Sequence, residues 1–287
     1  MKVRIGIGLG QATTPDGLGA AMKAIEAHGF DSLWISEVLT APGPDPLVAL
    51  AAAAQLQPSR RVGGTIVLPG RNPIRLAKAL ASLDVLSAGR LLLTFVPGLP
   101  YGAERDAVGV PVRERARVMD EVLPKLRAWW AGEEVDGVRV EPVPVQQPLE
   151  MWLAGLAPAS LRRCGRFGDG WLGAACSVAE AVDARSVINE AADAAGREVD
   201  QEHFGMSIGY RHTAPDDAQL ARLAQRTRGR EVDVRDVLPV GPAELRRVLE
   251  SFIARDFSKF VVRPTPGPAS WDDELAGLRE AVGDLQT

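Results

Sequence analysis

The chain is poor in cysteine, histidine and lysine, and each shortage removes a class of chemistry. Its two cysteines, Cys164 and Cys176, cannot build a disulfide framework and have no metal-ligand spacing. The three histidines, His28, His203 and His212, are too scattered to mark a metal cluster, so no metal is expected. Lysine occurs only at Lys2, Lys23, Lys78, Lys125 and Lys259; the remaining basic residues are arginines, and neither type forms a run. With 33 basic and 37 acidic residues the net charge is −4. That balance gives no electrostatic support to a nucleic-acid or membrane-surface partner. Nothing approaches the roughly 18 unbroken apolar residues of a membrane span. Met1-Lys2 leads straight into an apolar run without a signal-peptide pattern. The expectation is a soluble, cytoplasmic protein. GxSxG, HExxH and Walker patterns are also missing, which sets aside hydrolase, metalloprotease and P-loop readings.

What is present is a rhythm. At 287 residues and 46% hydrophobic, the chain suffices for one large core, and residues 1–287 read as a single domain. Eight short apolar runs are strand candidates: Val3–Leu9, Ser32–Ser36, Val62–Leu68, Leu91–Val96, Met151–Leu153, Gly170–Ala174, Phe204–Tyr210 and Phe260–Arg263. The clear ones are apolar on both faces, as strands buried between helices and a packed interior should be. Helices start legibly at Thr14-Pro15, Asp45-Pro46 and Asn72-Pro73, where a capping side chain precedes a proline suited to the first helical position. Leu18, Met22 and Ile25 form the apolar stripe of the first helix, and Leu76, Leu80 and Leu83 that of the third, with stops at Gly29 and Gly89. Strand, capped helix and glycine, repeated eight times, predict an α/β fold: a closed (β/α)8 TIM barrel. Two intervals exceed one helix, Gly98–Pro148 after strand four and Arg211–Ser258 after strand seven. The first holds a helix over Arg113–Trp130 and then a Pro/Val segment, Val135–Pro148, read as a small hairpin. Both insertions belong to the C-terminal face, where a barrel keeps its chemistry.

Candidate residues follow from the strand ends. Glu37 caps strand two, either to meet a ligand or to pair with a rim arginine. Gly63-Gly64-Thr65 in strand three either admits a flat ligand or packs tightly. Val96-Pro97-Gly98-Leu99-Pro100-Tyr101-Gly102, followed by Glu104 and Arg105, suits a pocket rim or any tight turn. Ala154-Gly155-Leu156-Ala157 leads into a helix N-terminus suited to phosphate, although a plain βα turn reads the same way. Trp171 reads as packing. Arg211 and Arg263, after strands seven and eight, either meet an anion or form rim salt bridges.

The order of several segments resembles the bacterial luciferase-like monooxygenases, including the branch that uses the deazaflavin F420. They are Ala27-His28-Gly29-Phe30-Asp31-Ser32-Leu33-Trp34-Ile35-Ser36-Glu37, Leu68-Pro69-Gly70-Arg71-Asn72-Pro73, Leu83 to Leu91, Arg117 to Trp130, Pro148 to Gly155, Gly168-Asp169-Gly170-Trp171-Leu172 and Gly241-Pro242-Ala243-Glu244. The resemblance implies hydride transfer between F420 and a small organic substrate. An FMN-dependent monooxygenase and a non-catalytic ligand-binding barrel stand as alternatives. Composition rich in Ala, Arg, Gly and Val is similar to that of GC-rich bacteria that use F420. The implied cofactor contacts are Gly64, Thr65, Ile66, Thr94, Val96, Gly98, Ala154, Gly155, Leu156 and Ala157, with a non-proline cis peptide in strand three near Gly64, Thr65 or Ile66. The family often has His where this chain has Val38, so proton delivery falls to Glu37, Glu104 or Tyr101. The family's strand four usually ends in alternating glycines where this chain reads Thr94-Phe95-Val96-Pro97-Gly98, so Phe95 or its neighbours are expected to narrow the ring site. A homodimer paired through outer helices is expected as well.

Overall fold

In a computed structural model of the chain, residues 1–10, 14–56, 59–227 and 230–287 are described. Eight parallel strands close into a barrel in sequence order. They are β1 (Arg4–Gly8), β2 (Ser32–Ser36), β3 (Arg61–Val67), β4 (Leu91–Val96), β5 (Trp152–Leu153), β6 (Gly170–Ala174), β7 (Phe204–Tyr210) and β8 (Lys259–Pro264). Closure runs through β1 and β8, with Arg4 opposite Lys259 and Ile7 opposite Val262. The fold is the expected TIM barrel.

Around the strands lie α1 (Pro15–Ala27), α2 (Pro46–Leu56), α3 (Pro73–Leu86), α4 (Gly102–Ala107), α5 (Val112–Trp130), α6 (Pro158–Phe167), α7 (Val178–Asp193), α8 (Asp217–Thr227), α9 (Val234–Val237), α10 (Gly241–Ile253) and α11 (Trp271–Val282). The start signals work as anticipated. Thr14 and Asn72 each accept from a backbone N–H three residues on, and Asp45 accepts from Leu47 and Val48. Each side chain satisfies a donor that the first helical turn leaves without a carbonyl.

Strand alternation divides the apolar residues into two cores. Outward-facing residues such as Ile5, Leu33, Ile66, Phe95 and Met206 join the helices in one continuous cluster. Inward, Trp34, Leu172 and Val261 form a separate plug, with Leu92 and Trp152 packed against it. The Trp34 indole is accommodated because Gly6 and Gly63 face it: an added Cβ would lie 2.8 Å and 2.4 Å from the ring. Tight packing is therefore the role of Gly63.

Two expectations are corrected. Val135–Pro148 is not a hairpin; its ladder consists of a single antiparallel bridge, Val135 to Val138. Interrupted by proline at 142, 144 and 148, it instead packs beside α3, where Gln146 binds the buried Asp84 carboxylate through its N–H and its side chain. Second, β3 carries no cis peptide at Gly64, Thr65 or Ile66; the cis bonds among the described residues all precede proline. The strand pairs without interruption from Val62 to Val67 against β4. The interval after β7, expected to exceed one helix, holds α8, α9 and α10.

Candidate active site at the barrel mouth

Above the Trp34 plug the inward positions turn small. Ser36 lies opposite Thr65, and Thr65 opposite Thr94, so three hydroxyl-bearing residues form a row across β2, β3 and β4. On the far wall Ala174 lies opposite Ser207, and Gly209 opposite Arg263. Bulky inward residues thus lie below and smaller ones above. Of the three hydroxyls, Thr94 is buried, and its Oγ1 has no hydrogen-bond partner. A buried polar atom without a partner costs free energy unless a ligand or water completes it.

The same alternation separates the predicted contacts. Thr65, Thr94, Val96 and Ala154 are on the inward parity. Gly64 and Ile66 are not: an added Cβ on Gly64 would lie 2.8 Å from Leu50 of α2, and Ile66 is part of the outer core. The pleat sends successive side chains to opposite faces, so these two turn away from the mouth. Phe95 is turned outward too, fully buried in the helix-facing core, so it does not narrow the ring site.

Two of the three predicted proton carriers are bound into the scaffold. Glu37 is buried, accepts the Val67 N–H at 2.7 Å and pairs with Arg71 at 2.5 Å. Burial pushes its carboxyl above the usual carboxylate range, against the opposing pull of Arg71 and the Val67 N–H. Of the two readings, the rim ion pair is the one realised. Glu104 is also buried, and accepts from the N–H groups of Leu39 and Thr40 and from the Thr40 hydroxyl, tying α4 to the loop after β2. Both carboxylates are engaged by scaffold partners, and Glu37 also lines the cavity beside the mouth. Tyr101, half-buried at the start of α4, has no hydrogen bond to its hydroxyl among the described residues and lies within electrostatic reach of Arg226 from α8. Val38 lines a cavity of about 150 Å³ beside the mouth with Ser36, Gly10 and Asp45.

Arg115 went unnoticed in the sequence. Buried on α5, it donates to the carbonyls of Val110, Pro97, Leu99 and Arg105. One guanidinium thereby holds the whole rim loop, including Gly98, whose φ of +79° favours glycine. Nothing in the sequence distinguishes it from its neighbours, because its partners are backbone atoms. Arg211 is likewise a rim support, donating to Thr213 O.

The turn after β5 has the predicted shape. Gly155 adopts φ +115°, and its carbonyl accepts from the buried Trp171 indole at 3.1 Å. Trp171 is thus a packing residue that also anchors the turn. Ala157 is the N-cap of α6 and offers no capping side chain, with Pro158 next.

The sequence model for luciferase-like monooxygenases matches residues 1–248. The chain belongs to that family. An F420-dependent hydroxymycolic acid dehydrogenase of Mycobacterium tuberculosis is 29% identical over 273 residues, covering 88% of this chain and 73% of that protein. An F420-dependent glucose-6-phosphate dehydrogenase of Kineococcus radiotolerans is 24% identical over 285 residues, covering 82% and 83%. Among solved structures, an F420-dependent secondary alcohol dehydrogenase shares the fold with a TM-score of 0.79 at 18% identity, over all of both chains. The monooxygenase RslO1 of Streptomyces bottropensis shares it at 0.77 and 24%, over 98% of each. As a member of this luciferase-like family with F420-dependent dehydrogenases among its relatives, the protein is an oxidoreductase, which sets aside the non-catalytic alternative.

Proposed function

We propose that the protein transfers a hydride between F420 and a small organic substrate at the barrel mouth. The observation that carries this reading is the row Ser36–Thr65–Thr94 above the Trp34 plug, with the Thr94 hydroxyl unpartnered. Such a wall offers a flat polar ring both space and hydrogen bonds. The dehydrogenase relatives favour F420 over a flavin. When bound, F420 supplies a hydride donor or acceptor at a ring carbon where flavin has nitrogen, so it does not activate oxygen productively.

The residues that would hold it are Thr65, Thr94 and Val96 beside the ring and Gly155, Leu156 and Ala157 at the phosphate. At α6 the uncapped first turn presents N–H groups and the positive end of the helix dipole. The Trp34 plug closes the barrel beneath and keeps water from entering from below. Tyr101 is assigned the proton: its hydroxyl is not committed to the scaffold, unlike Glu37 and Glu104.

Titrating the full chain with F420 and, separately, with FMN tests the cofactor. Micromolar or tighter F420 binding with weak FMN binding supports the reading. Preference for FMN moves the protein to an oxygen-using monooxygenase, the function of RslO1 on the same fold. Tyr101→Phe should lower turnover while leaving F420 affinity intact.

We also propose a homodimer through α2 and α3. The α2 sequence, PLVALAAAAQL, is apolar all round, yet Val48 is 68% exposed and Leu56 55%. Val85 and Leu86 of α3 are exposed beside them. A helix apolar on every side calls for burial on every side. Sedimentation velocity should show a dimer that Val48→Asp converts to monomer.

A further inference from the structure

A second cavity, of about 270 Å³ against about 150 Å³ beside the mouth, opens at the other end of the barrel. Its floor is the underside of the plug, where Trp34, Leu92, Trp152, Leu172 and Val261 all line it. Both indoles lie against glycine on a neighbouring strand. An added Cβ would lie 2.4 Å from the Trp34 ring at Gly63 and 2.5 Å from the Trp152 ring at Gly170. Trp152 is the more exposed of the two. A concave apolar floor with a polar rim is the usual build of a small-molecule site.

The rim is charged. Lys2, Arg4, Arg61 and Lys259 stand against Asp31, Glu150 and Glu202, so with His203 neutral the wall carries one net positive charge. All three acids are engaged within the wall. Arg4 holds Asp31 at 2.6 Å and Lys259 holds Glu202 at 3.4 Å. Glu150 accepts the Trp152 indole N–H at 3.1 Å and lies 3.8 Å from His203. That leaves the exposed Lys2 and Arg61 without an ion pair among the described residues. Arg61 is the one set beneath the plug. It lies opposite Ser32, whose hydroxyl accepts the Trp34 indole N–H at 3.0 Å, and two residues before Gly63 on the same inward parity.

We infer that this opening is a second binding site, separate from the mouth, for a planar aromatic carboxylate. The ring system lies on the apolar floor beside Trp152, and the carboxylate meets the planar fork of Arg61, whose donors match it in pairs. One net positive charge suits a singly charged carboxylate better than a doubly charged phosphate, which the three acids would repel. An apolar cavity of about 150 Å³ is enough for benzene, so one of about 270 Å³ has room for two fused rings.

The test is isothermal titration of the full chain, at low ionic strength, with 2-naphthoate and separately with 2-naphthamide, which has the same rings and no charge. Wild-type protein should bind one naphthoate, and should bind the amide about fivefold more weakly. Arg61→Gln should weaken naphthoate by about the same factor and leave the amide unchanged. Because the Arg61 side chain is exposed, this variant should melt like wild type. Trp152→Leu should weaken acid and amide alike, and the exposed Arg222→Gln, on α8 at the opposite end, should change neither. Saturation with F420 should leave naphthoate binding intact, since the Trp34 plug stands between this cavity and the mouth. No naphthoate binding to wild type overturns the site. Binding that Arg61→Gln retains in full, or that F420 displaces, places the acid elsewhere and overturns it as well. An amide that binds as tightly as the acid overturns the carboxylate assignment. The site does not depend on the redox reading: Arg61-dependent naphthoate binding supports it whether or not F420 binds.

Discussion

The two ends of the barrel both carry charge and space, and they differ in how the charge is met. The N-terminal end has the larger cavity, about 270 Å³, lined by Arg4, Asp31, Glu202, His203 and Lys259. Among its charges Arg4 pairs with Asp31 at 2.6 Å and Lys259 with Glu202 at 3.4 Å, while Arg61 on the same wall has no ion pair among the described residues. At the C-terminal mouth the buried Thr94 Oγ1 has no hydrogen-bond partner, and the Tyr101 hydroxyl has none among the described residues. The proposed cofactor end is the one where the buried Thr94 hydroxyl stays open, since an unsatisfied buried polar atom costs free energy until something completes it.

Substitutions that remove the boundary between the two ends should have the largest effect. Trp34→Ala empties the plug that Gly6 and Gly63 make room for, and should cost about 3–5 kcal/mol in urea unfolding. Gly63→Ala attacks the same contact from the other side. Its Cβ would lie 2.4 Å from the indole, and the expected loss is about 1–3 kcal/mol. If either variant unfolds like wild type, the plug is not the floor of the site.

The Glu37–Arg71 pair tests whether a mouth residue is scaffold. Its folded carboxyl is raised above its unfolded value. The linkage therefore favours the fold fully below the unfolded pKa, and that contribution is lost as pH rises through the folded pKa. Glu37→Gln cannot ionise, so it should gain stability relative to wild type as pH goes from about 4 to about 8. A difference that stays flat with pH would mean that ionisation of Glu37 does not load the fold.

Smaller effects sharpen the contrast. Thr94→Val should leave stability unchanged, since no protein hydrogen bond is lost, while weakening F420 by about 1 kcal/mol, or several-fold. Stability that falls instead makes Thr94 a structural residue. Ala157→Asp should strengthen the α6 N-cap by about 1 kcal/mol and oppose the cofactor phosphate. It is cleaner than Gly155→Asp, because Gly155 sits at φ +115° with Ser160 3.2 Å from any added Cβ. A tighter melt with unchanged cofactor affinity would remove that turn from the site.

Much of the architecture was legible in order. Strands such as Ser32–Ser36, Leu91–Val96, Gly170–Ala174 and Phe204–Tyr210 have the bounds that apolar runs suggested, and the capped helices begin at Pro15, Pro46 and Pro73. These features are local. A capping side chain acts within three residues, and a strand buried on both faces must be apolar throughout. The site was legible mainly as a place. The strand ends and the two insertions were recognisable, but not which atoms remain available there. Glu37 and Glu104 were chosen as carboxylates near the mouth, and Gly64 and Ile66 as strand-three residues, because sequence position is known one residue at a time.

Tertiary structure decided the rest through two physical effects. Pleat parity separates Thr65 from its neighbours Gly64 and Ile66, and register across three strands brings Ser36, Thr65 and Thr94 into one row. Long-range hydrogen bonding then binds Glu37 to Arg71, Glu104 to Thr40 and Arg115 to a loop of carbonyls, while it leaves the Thr94 hydroxyl without a partner. The sequence by itself determined a barrel and the face on which its chemistry lies, since both follow from local pattern and chain order. Which polar groups are satisfied and which are left for a ligand depends on partners distant in the chain, and that was settled only by closing the barrel.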